Sequence, residues 1–334
     1  MKKGLKVFLI VLAVILVLVG TVLIVVTRDY ADPVMNIPKE DVDGTRNPYI
    51  VPTGETMVSA HRSGGGIAPE NTLMAFQNCV ESGKFSIDIF EFDLHLTKDD
   101  QLVLLHDKTL DRTSDAVELF GHEEVYPHDY TYEELLKLNM GEGFETDDGK
   151  TPYKGLRGAD VPENLRIMRL QDVFDYLAPF GEHHFIIEIK DGKEIGKKAT
   201  DKLYETLQAN NLLQNVVVGT FHGEISQYMD DTYPDMLRSA GIKEVVNFYF
   251  SSLCGIKHAP DYYKFKALQI PANQFVIHLG TSRLCNYAHK YNIAVQYWTI
   301  NDPKDVAMLA SVGADAVMSD NPDMVYEVFC SKEK

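Results

Sequence analysis

Short apolar runs alternate with longer stretches of mixed polarity over most of the chain. We interpret eight of these runs as strands because of their length and their β-branched and aromatic content, at 57–61, 89–97, 184–189, 216–220, 237–240, 267–270, 294–298 and 316–319. Apolar residues recur at helical spacing between several of them, at 73–82, 170–177, 193–210, 282–291 and 303–313. This alternation predicts an α/β fold, a TIM (β/α)8 barrel with reactive side chains at the C-terminal ends of its strands.

The first 28 residues do not follow this alternation. Residues 7–26 form an uninterrupted apolar run that follows Lys2, Lys3 and Lys6. About 20 residues at about 1.5 Å each cover the roughly 30 Å core of a bilayer, whereas a cleaved signal has an apolar region of about 7 to 15 residues. We therefore expect one N-terminal transmembrane helix, with a long cleaved signal as the alternative. The lysines favour a cytoplasmic start, which places the rest of the chain at the cell membrane on its extracytoplasmic side.

Composition divides the chain into three regions. Residues 1–28 are the cytoplasmic stub and membrane anchor, residues 29–55 are a polar juxtamembrane linker interrupted by prolines, and residues 56–330 form the barrel. Residues 107–169 are rich in Asp, Glu, Gly, Tyr and Pro and fit no β/α unit. We predict that they form an insertion after the second strand that covers the barrel mouth.

Charge and cysteine content restrict the ligands. The formal net charge is −17, and an acidic surface of this kind repels nucleic acid. An anionic ligand would need a local metal ion or a few basic side chains. The chain has four cysteines and no CxxC pair, so a zinc cluster is not expected; the cysteines are Cys79, Cys254, Cys285 and Cys330. The sequence leaves open whether any of them form disulfides.

The segment 61–72 joins the first strand to the first helix and suits an anion. His61 can transfer protons near neutral pH, Arg62 offers a planar fork to phosphate, and three glycines at 64–66 let backbone N–H groups approach a ligand. The alternative is structural, because the glycines can form a tight turn and Asn71 or Thr72 can cap the helix. The segment alone does not decide between the two.

The second strand carries acidic side chains on one face. Glu91, Asp93 and His95 alternate with aromatic and aliphatic residues, so they point to the same side. A divalent cation with oxygen ligands offsets the cost of burying two carboxylates. A solvated strand face is the alternative for the acids, and a core histidine is the alternative for His95.

A second histidine and a third acid follow. His106 and Asp107 end the apolar run 102–105, and two histidines can share the acid and base roles of phosphodiester cleavage. Glu188 and Lys190 share a strand face, so they can supply a metal ligand and a cation for phosphate, or form a simple ion pair.

In chain order, these motifs resemble the glycerophosphodiester phosphodiesterase family. The resemblance extends from about residue 57 to about residue 325. Each motif alone is a weak signal, but the whole set in this order is specific to the family. It is carried by His61 and Arg62 with Pro69, Glu70, Asn71 and Thr72, then Glu91 and Asp93, His106 and Asp107, Glu188 and Lys190, Trp298 to Asn301, and Ser319 to Asp323. One departure is Ser63, which stands where the family usually has glycine.

The resemblance implies roles for individual residues. His61 and His106 match the catalytic acid/base pair, and the ligands of a Ca²⁺ or Mg²⁺ ion match Glu91, Asp93 and Glu188, often with Glu70 nearby. Arg62 and Lys190 match residues that contact the phosphate, and Trp298 matches an aromatic residue that forms a wall beside the alcohol.

The resemblance also implies an activity, the metal-dependent hydrolysis of glycerophosphodiesters to sn-glycerol 3-phosphate and an alcohol. Alternative substrates are lysophospholipids and glycerol-phosphate polymers, and a barrel that has lost catalysis and only binds is a further alternative. A lipid substrate needs an apolar groove, for which the insertion offers Leu119, Phe120, Tyr126, Tyr130 and Phe144.

Overall fold

The structure is a computed structural model that describes residues 2–28, 31–42 and 47–331, without the side chains of residues 2–7, 9, 10 and 23. Its strands are β1 Met57–Ala60, β2 Ile89–Leu96, β3 Leu102–Leu104, β4 His184–Ile189, β5 Val216–Gly219, β6 Ala267–Ile270, β7 Asn273–Gln274, β8 Ile277–His278, β9 Ala294–Tyr297 and β10 Ala316–Ser319. Seven of them pair in parallel in the order β5-β4-β2-β1-β10-β9-β6. They form a nearly closed barrel, which confirms the predicted fold class at that level.

The fifth of the eight predicted strands, 237–240, is much shorter than expected. It makes only single parallel bridges, from Arg238 to Val218 and from Ser239 to Ala267, and these link β5 to β6. The Arg238 side chain is buried and forms ion pairs with Asp230 before it in the chain and with Glu244 after it. Backbone hydrogen bonds nevertheless join the segment to both neighbours, from Ser239 N–H to the carbonyl oxygen of Val218 at 3.0 Å and from Ala240 N–H to that of Ala267 at 2.9 Å, and the ion pairs of Arg238 add to them.

Helices are distributed along the described chain. They are α1 Lys2–Thr27, α2 Leu73–Glu81, α3 Ala116–Phe120, α4 Tyr132–Leu135, α5 Leu170–Leu177, α6 Lys193–Ala209, α7 Gly223–Thr232, α8 Ile242–Cys254, α9 Ser282–Lys290, α10 Pro303–Ser311 and α11 Pro322–Ser331. The five predicted helices correspond to α2, α5, α6, α9 and α10. In α6, one stripe with Ala199, Leu203 and Leu207 is fully buried, as its spacing predicts.

The N-terminal helix α1 lies where the sequence predicts a transmembrane helix. Among the residues that the structure describes, however, no helix is long and apolar enough to cross a membrane, so the predicted span is not supported. In the predicted run, the side chains of Val7, Leu9, Ile10 and Leu23 lie outside those that the structure describes.

Residues 31–42 and 47–53 lie along the outside of the barrel, between its mouth and its base. Near the start of α9, Asp32 pairs with Arg283 at 2.8 Å. Farther along, Tyr49 is fully buried among the N-terminal ends of the strands, and its hydroxyl lies 2.9 Å from the carbonyl oxygen of Phe185. The described residues of the predicted linker are therefore packed against the barrel, and Tyr49 helps to cover its base.

The region predicted as an insertion, 107–169, contains α3 and α4 and short turns. It shares a small apolar core with β3, separate from the barrel interior, formed by Val103, Leu105, Leu110, Ala116, Val125, Leu135, Leu138, Met140 and Ile167. This separate core lets the insertion fold beside the mouth without filling it.

Candidate active site

A cavity of about 590 Å³ opens at the C-terminal end of the barrel strands. Seven of the nine predicted site residues line it: His61, Arg62, Glu91, Asp93, His106, Glu188 and Trp298. Lys190 contacts two of the lining acids, whereas Glu70 lines an adjoining smaller cavity. The barrel therefore brings together residues that lie up to 237 positions apart in the sequence.

The turn after β1 is strained. Arg62 and Ser63 both have positive φ angles, 49° and 63°, before Gly64 at 91°. Side chains with a Cβ seldom adopt this conformation, whereas glycine adopts it freely. This gives a physical reason for the glycine that the family usually has at the Ser63 position. The turn aims the Arg62 backbone N–H at Glu91 Oε2, 2.7 Å away.

Close backbone packing explains one of the three glycines. The N–H of Gly66 donates to the carbonyl oxygen of Asp320 at 2.9 Å. A Cβ added at Gly66 would lie only 2.5 Å from Asn321 Oδ1. Gly66 therefore lets the turn after β1 pack closely on the turn after β10. A tight turn within 61–72 does not by itself account for this glycine.

His61 is held by an aspartate from the end of β10. Its Nδ1 lies 2.6 Å from Asp320 Oδ1, and its Nε2 lies 4.0 Å from Glu91 Oε2. Burial lowers the pKa of His61, but the hydrogen bond to Asp320 and the charges of Glu91 and Asp320 outweigh it and raise the pKa above its ordinary value. Asn301 Nδ2 donates to the other oxygen of Asp320 at 2.7 Å and fixes that carboxylate.

His106 also bonds a carboxylate through Nδ1, but its partner is the next residue in the chain. Its Nδ1 lies 2.8 Å from Asp107 Oδ1, and Asp107 in turn pairs with Arg112. Burial lowers the pKa of His106 below its ordinary value, even though Asp93 and Asp107 act in the opposite direction. Both histidines therefore use Nδ1 for a carboxylate, which leaves Nε2 for a ligand.

The three predicted metal-ligating acids stand on β2 and β4. Asp93 and Glu188 are paired across these strands, and Glu91 and Asp93 are buried. Burial, followed by the charge of Asp93, raises the pKa of Glu91 to about 8, and the same two causes raise the pKa of Glu188. Lys190 Nζ lies 3.0 Å from Glu188 and 3.5 Å from Asp93, so its positive charge stabilises the cluster.

These acids fit the chemistry of a hard divalent cation. They offer only oxygen ligands, the type that Ca²⁺ and Mg²⁺ prefer, and their burial is costly without a neutralising charge. Among the described residues, however, no group of three or more His, Cys, Asp or Glu is arranged to hold a metal ion. The bound metal and its identity therefore stay predictions.

Glu70 forms ion pairs with two arginines. Its carboxylate accepts from Arg62 Nη1 at 3.1 Å and from Arg112 Nη2 at 2.7 Å. Sequence reasoning assigned no role to Arg112 or Asp320. The motif at the end of β10 could have pointed to Asp320, whereas no local pattern distinguishes Arg112 from other arginines of the insertion.

The other end of the cavity is apolar and lies away from the insertion. Its lining comes from the segments after β5 and β6 and from α8, and includes Phe221, Ile242, Val245, Val246, Tyr249, Phe250 and Ile277. The five insertion residues suggested for this role do not line the cavity, so that suggestion is wrong. Phe120 and Tyr130 stack on each other at 4.0 Å and pack on the separate core of the insertion.

His95 lies outside the cavity. Its Nδ1 is 2.8 Å from Asp191 Oδ1, and the side chain is buried. This agrees with the alternative of a core histidine, although only Nδ1 is hydrogen-bonded and the buried Nε2 has no partner among the described residues.

Comparisons with known proteins agree with this geometry. The model of the "Glycerophosphoryl diester phosphodiesterase family" matches residues 61–324. A glycerophosphodiester phosphodiesterase of Caldanaerobacter subterraneus subsp. tengcongensis is 27% identical over 271 residues, which cover 80% of this chain and 96% of the relative.

Solved structures show the same fold. A glycerophosphodiester phosphodiesterase from Agrobacterium tumefaciens has a TM-score of 0.60 at 19% identity and covers 81% of this chain and 100% of its own. An Oleispira antarctica phosphodiesterase in complex with the product sn-glycerol-3-phosphate has a TM-score of 0.59 at 21% identity and covers 81% of this chain and 96% of its own. The chain belongs to the glycerophosphoryl diester phosphodiesterase family, and its predicted enzyme class, a phosphoric diester hydrolase, is confirmed.

Proposed function

We propose that the chain hydrolyses glycerophosphodiesters to sn-glycerol 3-phosphate and an alcohol, with His61 and His106 as the acid/base pair. One observation carries the proposal. Two histidines, each bonded through Nδ1 to a carboxylate, face a single cavity that also contains buried acids and cations. Cleavage of a diester needs one group to deprotonate the attacking oxygen and another to protonate the leaving alkoxide.

The remaining charged groups suit the phosphate. The Arg62 guanidinium and the Lys190 ammonium both stand beside the acids, where they can stabilise negative charge that develops on the phosphoryl oxygens. A divalent cation held by Glu91, Asp93 and Glu188 would supply Lewis-acid stabilisation at the same oxygens. Trp298 would contact the alcohol part from the far side of the cavity.

The test is release of glycerol 3-phosphate from glycerophosphocholine by the full chain, with and without EDTA. We expect His106→Ala to lower the turnover about 100-fold or more, the usual contribution of a general acid or base. His128→Ala is the matched control, because this histidine is half-exposed and lies outside the cavity. Unchanged turnover in His106→Ala would reject the histidine roles, and release that is insensitive to EDTA would reject the metal.

A second candidate substrate is a lysophospholipid. It is favoured by the apolar end of the cavity, which adjoins the acids and can accommodate a hydrocarbon chain next to the phosphate. Comparison of kcat/KM for lysophosphatidylcholine and glycerophosphocholine tests it. A value for the lysolipid far below that for the soluble diester would leave the soluble diester as the substrate.

We also propose that the chain is held at the cell membrane with the barrel on the extracytoplasmic side. The support is the apolar run 7–26 after three lysines, together with the high exposure of described α1 side chains such as Leu16, Val17 and Ile24. Membrane fractionation of cells, followed by protease treatment of intact cells, tests both parts. Recovery of the full chain in the soluble fraction would reject the proposal.

A further inference from the structure

Exposed apolar side chains surround the apolar end of the cavity. On α8, Ile242, Val246 and Phe250 form a stripe at a spacing of four residues and are 60%, 51% and 48% exposed. Phe221, after β5, is 58% exposed and also lines the cavity. A helix that covers a barrel normally turns such a stripe inward, so this one indicates a surface that another apolar phase contacts.

The short hairpin of β7 and β8 adds to the same rim. Its tip consists of Phe275 and Val276, which are 93% and 54% exposed. The residues on either side of the tip, Gln274 and Ile277, line the cavity. Phe275 has a φ of 54°. Such a bulky, fully exposed aromatic in a strained turn has no packing role in the chain itself.

Helix α1 ends at this rim. The hydroxyl of Tyr249 donates to the carbonyl oxygen of Val26 at 3.3 Å, and Tyr249 also lines the cavity. Helix α1 contacts β8 as well. The apolar α1 side chains that the structure describes are thus continuous with the rim of the cavity.

We propose that this rim docks onto a lipid bilayer, so that the cavity opens into the lipid surface. The mouth rim is defined by Phe221, Ile242, Val246, Phe250, Phe275 and Val276. Its continuity with α1 favours lipid over a second copy of the chain. Contact through apolar side chains does not depend on charge, which matters because a chain of net charge −17 is not attracted electrostatically to anionic lipids. The proposal requires no hydrolytic step, so it is independent of the proposed activity, but it rests on the proposed membrane attachment through α1.

Site-directed spin labelling of the full chain tests the proposal. The exposed cysteines Cys254 and Cys330 are first replaced by serine, and one new cysteine is introduced as Val276→Cys at the rim or as Glu182→Cys at the barrel base. Each labelled protein is placed in phosphatidylcholine nanodiscs that hold a single copy. We expect the label at 276 to collide mainly with oxygen, which concentrates in lipid, and the label at 182 to collide mainly with a water-soluble nickel chelate.

Three results would overturn the proposal. These are equal nickel accessibility at 276 and 182, failure of the full chain to co-sediment with phosphatidylcholine vesicles, and protection at 276 that appears only with two copies in a disc. The last result would identify the rim as an interface between copies. Phe275→Cys serves as a second rim label in case Val276→Cys does not fold.

An activity assay separates this proposal from the proposed function. Phe275→Asp combined with Val276→Asp should lower the rate on vesicle-bound lysophosphatidylcholine about tenfold, because two apolar side chains no longer enter the lipid. Turnover of soluble glycerophosphocholine should stay unchanged, because neither residue lines the cavity. If the lysolipid is not hydrolysed at all, only the substrate assignment fails, and the label positions still decide the docking.

Discussion

The two ends of the cavity differ in how their side chains are held. At the charged end, His61, His106 and Arg62 are each fixed by a carboxylate, and the acids are fixed by cations in turn. At the apolar end, Ile242 and Phe250 are half-exposed, and Phe250 makes an edge contact with the ring of Tyr249 at 5.7 Å. Fixed polar groups suit bond cleavage, whereas loosely held apolar side chains suit chains of variable shape. Under the proposed function, chemistry and substrate selection would occupy separate ends of the cavity.

The strongest test of this division is His61→Ala. Loss of an acid/base group at the charged end should lower kcat by about 100-fold or more on every diester, with little change in the free energy of unfolding. His289→Ala is the matched control, because that histidine bonds Asp315 at 2.9 Å in the buried body of the barrel. It should lose about 1 to 3 kcal/mol of stability and keep its turnover per folded molecule. Denaturant unfolding and steady-state kinetics measure both, and the reverse pattern would contradict the division.

A smaller effect is expected from Asp320→Asn. The amide removes the charge that fixes His61 through Nδ1, so we expect kcat to fall about 10- to 100-fold, as for other outer partners of reactive histidines. A positioning role predicts that KM changes little and that the pH profile of kcat shifts. Asp305→Asn, on the exposed first turn of α10, is the control. A rise in KM alone would instead assign Asp320 to substrate binding.

At the apolar end, Phe250→Ala should act on selection. The ratio of kcat/KM for lysophosphatidylcholine to kcat/KM for glycerophosphocholine should fall about tenfold, because burial of a phenylalanine against a hydrocarbon chain contributes about 1.5 kcal/mol or more. Phe180→Ala is the control, since Phe180 is also exposed but lies beside Tyr176 away from the cavity. An unchanged ratio would mean that the apolar end does not contact the alcohol part.

The smallest effect concerns backbone strain at the charged end. Ser63→Gly should raise the free energy of unfolding by about 1 kcal/mol, because glycine adopts the φ of 63° without steric cost. Ser59→Gly is the matched control for Ser63→Gly, because Ser59 is equally buried but lies within β1. It should be destabilising, because glycine weakens a strand interior. A loss of stability in Ser63→Gly would show that the hydroxyl matters more than the strain.

Sequence patterns predicted the charged end well, because its residues sit at strand ends in short motifs. Alternation along β2 placed Glu91 and Asp93 on one face, and the fold then determined their neighbours. The same residue types did not reveal that Glu70 pairs with Arg112, since the two are 42 positions apart. Pairings of this kind depend on how a turn and an insertion meet in space.

The apolar end was predicted in the wrong place. The insertion has aromatic residues, but they are used for its own core, and the real lining comes from α8, which was not among the predicted helices. An apolar stripe on a helix usually indicates a buried face, so the sequence alone cannot show that the stripe of α8 faces outward. The strand predicted at 237–240 lies at the expected place between β5 and β6, but it is so short that it makes only one bridge to each of them.

The packing of Tyr49 against the barrel base has a practical consequence. The family match begins at His61, which would suggest that a shortened protein could start at β1. Such a protein would lack Ile37, Tyr49 and Ile50, all buried at the base, and would expose the apolar strand ends that they cover. A shortened form that keeps residues 31–53 should remain soluble, whereas one that starts at residue 56 should aggregate.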